Sequence, residues 1–214
     1  MTLNPVSIDH VYGLGLDTTT AALTLGIGLQ NRPCRCQTWD LGRGLSAQLH
    51  PLLQDFMAPQ RWTDLGWIAV LKGPGSFTGT RIGVVTARTL AQQLNLPLFG
   101  FSNLAIAAWI TAQSHSHKDC TIAISQLGQQ GTMYGAIYHI QVEKCLVSAV
   151  VGDQLLPEQE WSQLVSSTSG LDQTLQIDPA LDPEQLAIAL LTLGWQAWQD
   201  GERPLWSEVL PYYG

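Results

Sequence analysis

The sequence predicts a mixed α/β protein of two related lobes, the second smaller than the first. Three observations carry that reading. Residues 11–16 and 21–29 are apolar runs flanking the polar turn Asp17-Thr-Thr-Thr20, the pattern of a β-hairpin. A glycine loop, Gly73-Pro-Gly-Ser-Phe-Thr-Gly79, joins a short apolar run to a helical pattern. A second pair of strand-like runs, residues 121–125 and 133–140, opens the second half after the polar stretch 113–119. These set the division at residues 1–112 and 113–214, and leave open a return of the C-terminal helix to the first lobe.

The elements follow in order. After the hairpin, residues 37–41 read as a third strand. Leu45, Leu49, Leu52, Leu53 and Phe56 recur at helical spacing, and Pro51 among them predicts a kink or a break. Residues 67–71 form an unbroken apolar run, the mark of a buried strand. Past the glycine loop a helix is expected over residues 80–94, with Thr78 or Ser76 as N-cap and Asn95 and Pro97 as stops. A short strand at 98–100 precedes a helix capped by Ser102 and running to Ala112. In the second half, residues 145–151 read as a third strand. The final helix has Asp182 as N-cap, Pro183 at its first position and Gln185 at its third. It ends at Gly201 and is apolar nearly all round, so it is expected to be buried.

Composition narrows the function. The 214 residues are 45% hydrophobic and 13% charged, with a net charge of −7 and only ten Lys+Arg. Those cations are scattered, so nucleic acid would have to be held mainly by another chain. No apolar run is long enough to predict a membrane span, and residues 1–10 lack the basic and small-residue features of a signal peptide. Cys34, Cys36, Cys120 and Cys145 have no zinc-like second pair and read as reduced thiols, which points to a cytoplasmic protein.

Three motifs have chemical potential. Asp17, Thr18 and Thr19 sit where a phosphate-handling fold can hold a metal-bound phosphate, or form an ordinary turn that satisfies local backbone. Gly73, Gly75, Ser76, Thr78 and Gly79 form a strand-to-helix loop that allows close backbone approach, but Thr80 stands where a P-loop has lysine. Gly83, Ala87 and Ala91 line one face of the next helix, small enough for a partner helix or for this chain's own sheet to approach. Catalytic constellations are missing. His10, His50, His115, His117 and His139 form no H-x-x-x-H pair, Ser76 has no G-x-S-x-G context, and residues 125–132 hold no carboxylate for a phosphate-transfer metal. No catalytic residue and no metal ligand is therefore assigned.

The strings Leu16-Asp-Thr-Thr-Thr20, Gly73-Pro-Gly-Ser-Phe-Thr-Gly-Thr-Arg-Ile-Gly83 and Leu94-Asn-Leu-Pro-Leu-Phe-Gly-Phe-Ser-Asn-Leu104 resemble the TsaB (YeaZ) family, and Glu208-Val-Leu-Pro-Tyr-Tyr213 is similar to its Pro-x-Tyr tail. The resemblance implies the two-lobed actin-like fold of acetate kinase, sugar kinases, Hsp70 and actin, with a reduced second lobe. It implies a non-catalytic dimerisation subunit of the machinery that makes threonylcarbamoyladenosine at position 37 of tRNA. A TsaD-like paralogue would carry the transfer chemistry. ATP and metal would sit on partner subunits, a TsaE-like ATPase among them, and tRNA would be met only through the complex. Members pair through first-lobe helices, with themselves as a homodimer or with TsaD. Three departures stand out. Ser125-Gln126-Leu127 replaces a common Asp-Ala-Arg, Leu45-Ser46 replaces His-Ser, and Gly214 replaces a final arginine.

Spacing and resemblance together give the partner surface expected from sequence: Leu45, Leu49, Leu52, Leu53 and Phe56 on one helix, and Gly83, Ala87, Ala91 and Leu94 on the next. The first-lobe loops then read as vestigial phosphate-type loops. The competing reading is a stand-alone actin-like kinase or ATPase, favoured by Asp17 and the glycine loop. A glycoprotease would need metal ligands that the sequence does not supply.

Overall fold

The computed structural model describes residues 11–29, 35–114, 119–177 and 181–214. Two sheets organise them. The first holds β1 (Tyr12–Asp17), β2 (Ala22–Gly28), β3 (Arg35–Asp40), β4 (Leu65–Leu71) and β5 (Leu98–Phe101) in the order β3-β2-β1-β4-β5. β1 pairs antiparallel with β2 and parallel with β4. The second sheet holds β6 (Asp119–Leu127), β7 (Thr132–Gln141), β8 (Leu146–Pro157) and β9 (Gln173–Gln176) in the order β8-β7-β6-β9. Here β6 pairs antiparallel with β7 and parallel with β9, so the two lobes repeat one plan. This is the two-lobed α/β architecture that the sequence predicts.

Alternation along β4 explains its unbroken apolar run. Leu65, Ile68 and Val70 face one layer, and Trp67, Ala69 and Leu71 face the other. The first layer is α1 (Leu45–Met57) and α2 (Phe77–Leu94), which bring Leu49, Leu53, Val84 and Ala87 onto Leu14, Leu16, Leu23 and Leu25. The second layer is α5 (Pro183–Gln199), whose Leu190 and Leu191 close on Gly15 and Gly26.

α5 therefore lies on the first sheet. α3 (Asn103–Ser114) is a correction to the 1–112 division, because it packs against Ile122, Ile124 and Tyr138 of the second sheet as well as against α5. Both helices lie between the sheets, so α3 is buried along nearly its whole circumference. The far face of the second sheet is covered by α4 (Glu158–Ser167), whose Trp161 meets Ala123, Met133 and Ile137.

Local signals read from sequence meet mixed outcomes. Ser102 Oγ accepts from the amides of Leu104 (3.1 Å) and Ala105 (3.4 Å), and Asp182 caps α5 through Glu184 N at 3.1 Å. Ser76 caps α2, which starts three residues earlier than the expected residue 80. α1 runs on through Pro51. The proline is exposed, and so is Ala47, whose carbonyl a proline cannot bond, so water can serve that group. α4, β9 and the second half of β8 have no counterpart in the sequence reading. Cys34, His10, His115 and His117 lie outside the described residues. No helix of the described chain is long and apolar enough to cross a membrane.

Candidate functional site: an inter-lobe cleft and the outer face of α2

The turn after β1 and the glycine loop after β4 meet at the ends of two parallel strands. Asp17 Oδ1 accepts from Thr19 N and Thr19 Oγ1, each at 2.7 Å. Thr18 Oγ1 donates to the Gly79 carbonyl at 2.8 Å, and Ser76 N donates to the Thr19 carbonyl at 2.6 Å. Asn103, at the start of α3, ties both segments together. Its Nδ2 donates to Thr19 Oγ1 (2.6 Å) while its Oδ1 accepts from Gly73 N (3.2 Å).

Glycine is required where this turn rests on α2. A Cβ on Gly79 would collide with the Thr18 carbonyl, and one on Gly83 would collide with Thr18 Oγ1. The glycine string thus serves close packing of the chain on itself.

Asp17 is buried, and that burial pushes its carboxyl above the ordinary value of 3.8 despite the two bonds from Thr19. It does not line the neighbouring cleft. That cleft, of about 680 Å³, lies between the lobes, with Thr19, Thr20, Arg43, Ser76, Asn103 and Gln126 as its main polar wall. Apolar side chains from both lobes, among them Ile82, Ile177 and Leu186, complete it. Hydroxyls, amides and one guanidinium can hold a polar ligand, but among the described lining residues none is a carboxylate or an imidazole. Among the described residues no cluster of three or more metal-ligating side chains is assembled.

The structure brings Thr19, Gly75, Ser76, Thr78 and Gly79 together at the cleft, with Thr18 and Gly73 directly behind. Asn103 and Arg43 were not singled out from sequence, and Gln126 was noted only within the Ser125-Gln126-Leu127 departure from the family's pattern. Asn103 could have been found, since it follows the capping Ser102 in one of the family-like strings.

The expected partner surface is corrected. Leu45, Leu49, Leu53, Phe56, Gly83, Ala87 and Ala91 are buried within this chain, and Leu52 and Leu94 are half-buried against the same core. The physical reason is that the apolar stripes of α1 and α2 are both taken up by the first sheet. What α2 turns outward is a different stripe, in which Phe77 is 61% exposed, Val85 is 51% exposed, and Arg81 and Thr89 are also exposed. α2 contains no acidic residue. Beside it, Arg88 lies over the Trp206 ring at 5.5 Å.

Residues 41–171 match the family described as TsaD: tRNA N6-adenosine threonylcarbamoyltransferase. The tRNA threonylcarbamoyladenosine biosynthesis protein TsaB of Bacillus subtilis is 35% identical over 159 residues, 73% of this chain and 66% of that protein. The chain belongs to the TsaB (YeaZ) family. The Escherichia coli protein of the same description is 25% identical over 197 residues, 82% of this chain and 73% of that one. The structure of YeaZ from Pseudomonas aeruginosa superposes with a TM-score of 0.72 at 23% identity, covering 95% of this chain and 100% of that one. The family's two-lobed actin-like fold is thus this chain's fold. The alignment spans just under two thirds of the Bacillus protein's length.

Proposed function

We propose that this chain is a non-catalytic subunit in the formation of threonylcarbamoyladenosine on tRNA, and that it acts by pairing with a TsaD-like catalytic paralogue through the outer face of α2. The observation that carries the reading is that face itself. Phe77 and Val85 are exposed apolar side chains on a helix without carboxylates, in a chain whose net charge is −7. Apolar anchors flanked by arginine are the composition favoured at the centre of protein interfaces. The names of the curated relatives supply the pathway. Nucleotide, metal and the transfer step belong to the TsaD-like subunit and a TsaE-like ATPase. tRNA is held by the assembly, because ten scattered cations do not build a phosphate track. A homodimer through the same face is the resting alternative to the mixed pair.

The test is co-elution of this chain with its TsaD-like partner, using Val85→Glu. The substitution is on the surface, so folding stability should change by no more than about 0.5 kcal/mol. A charge placed in an apolar contact should weaken pairing by about tenfold or more. Unchanged pairing by a normally folded Val85→Glu chain would remove this face from the reading.

A further inference from the structure

The segment from Val209 onward touches both lobes beside the glycine loop that borders the cleft. On the first lobe, Val209 is buried against Gly100 of β5. Tyr212 N donates to the Lys72 carbonyl at 2.7 Å, just past β4. The Tyr213 ring lies over Phe77, with centroids 4.4 Å apart, at the first residue of α2. On the second lobe, Tyr134 OH donates to the Tyr213 carbonyl at 3.1 Å, and the Tyr134 and Tyr212 rings meet edge-on at 6.2 Å. Gly214 comes against Leu155 of β8. Burial, with Asp153 and Tyr134 nearby, pushes the Tyr212 phenol up to about 12, so it stays neutral in this position at ordinary pH.

We propose that residues 209–214 are an inter-lobe clamp, with Tyr213 as its key residue, that sets the opening of the cleft and the pose of Phe77 together. The geometry requires the two to be linked. Tyr213 holds Phe77 through its ring and Tyr134 through its carbonyl. Tyr134 sits directly across from Gln126 in the β6–β7 register, and Gln126 is the second lobe's polar contribution among the described residues lining the cleft. On the other side, the Lys72 carbonyl held by Tyr212 is the residue before the glycine loop that forms the opposite wall. Away from this point the lobes are joined by the buried α3 and α5, a packed layer that can act as the hinge side while the clamp closes the open side. The clamp is built of two ring contacts, two hydrogen bonds and the buried Val209, few enough to open without unfolding either sheet. A chain that engages Phe77 would then compete with Tyr213 for that ring and loosen the cleft.

Amide hydrogen exchange on the whole chain tests this, with two variants. Tyr134→Phe deletes only the hydroxyl that bridges the lobes. Tyr213→Ala deletes the ring. In both, exchange in residues 72–78 and in residues 127–135 should rise together, by about tenfold in Tyr213→Ala and less in Tyr134→Phe, while β1, β2 and α5 keep their protection. Faster exchange confined to residues 209–214 would overturn the proposal, because the segment would then be a passenger. Loss of protection throughout Tyr213→Ala, with Tyr134→Phe unchanged, would also overturn it, because the segment would be part of the core and not a clamp.

Discussion

The turn after β1 and the turn after β6 hold equivalent places in their sheets, each following a strand flanked by one antiparallel and one parallel neighbour. Their chemistry diverges. In the first, Asp17, Thr18 and Thr19 are buried, and their side chains bond to one another, to Gly79 and to Asn103. In the second, Gly128 N and Thr132 Oγ1 bond only within the turn, and Leu127 is 64% exposed. In the first turn Asp17 and Thr18 are engaged in internal bonds, and in the second, residues 125–132 hold no carboxylate. A phosphate-type motif on a phosphate-type fold need not mean phosphate chemistry. What matters is which way its polar atoms face.

The largest effect is expected at Ala87, which is fully buried where α2 packs on the first sheet. Ala87→Arg puts an unpaired charge in that core and should cost several kcal/mol, seen as loss of the cooperative thermal transition. A stably folded mutant would mean that the small-residue row faces outward after all. Asn103→Ala is the next step down. It removes the donor to Thr19 and the acceptor for Gly73 N, and should lower stability by about 1–2 kcal/mol in denaturant unfolding. Leu127→Ser, at the exposed end of β6, should stay within about 0.5 kcal/mol of the parent. Equal costs at the two turns would erase the contrast drawn between them.

A finer test uses pH. The Asp17 carboxyl is raised in the folded chain, so its stabilising contribution is present below the unfolded value and is lost as pH rises through the folded one. Asp17→Asn keeps an oxygen to accept from Thr19 but cannot ionise. Its melting temperature relative to the parent should therefore increase from acidic to neutral pH. A difference that falls over that range would show that the carboxylate is favoured by its bonds more than it is penalised by burial.

Much of the fold was legible because its signals are local. Ser102 and Asp182 cap their helices as their positions predict, and the apolar run of β4 marks a strand covered on both faces. α4 was not legible, since only Trp161 of its ten residues is buried and its sequence is mostly polar. β9 has four residues, too few for a period to show. The exchange of α3 and α5 between the lobes is a matter of packing partners, on which hydrophobic spacing is silent. The same limit explains the misplaced partner surface. Spacing shows that Gly83, Ala87 and Ala91 share a face, but not whether a foreign helix or the Thr18 turn lies against it. At the cleft, the loops were legible from their glycines and hydroxyls, whereas Arg43 carries no motif and Gln126 stands where the family's motif is lost.

On the proposed reading, this chain supplies a surface and not a reaction. That reading is tested most directly by the rate of threonylcarbamoyl transfer to tRNA in a reconstituted mixture of the TsaD-like subunit, the TsaE-like ATPase and this chain at saturating concentration. The cleft variant Arg43→Ala with Gln126→Ala should support the parental rate, whereas Val85→Glu should fail in proportion to its lost pairing. A cleft variant that pairs normally with the TsaD-like subunit yet transfers slowly would contradict that reading.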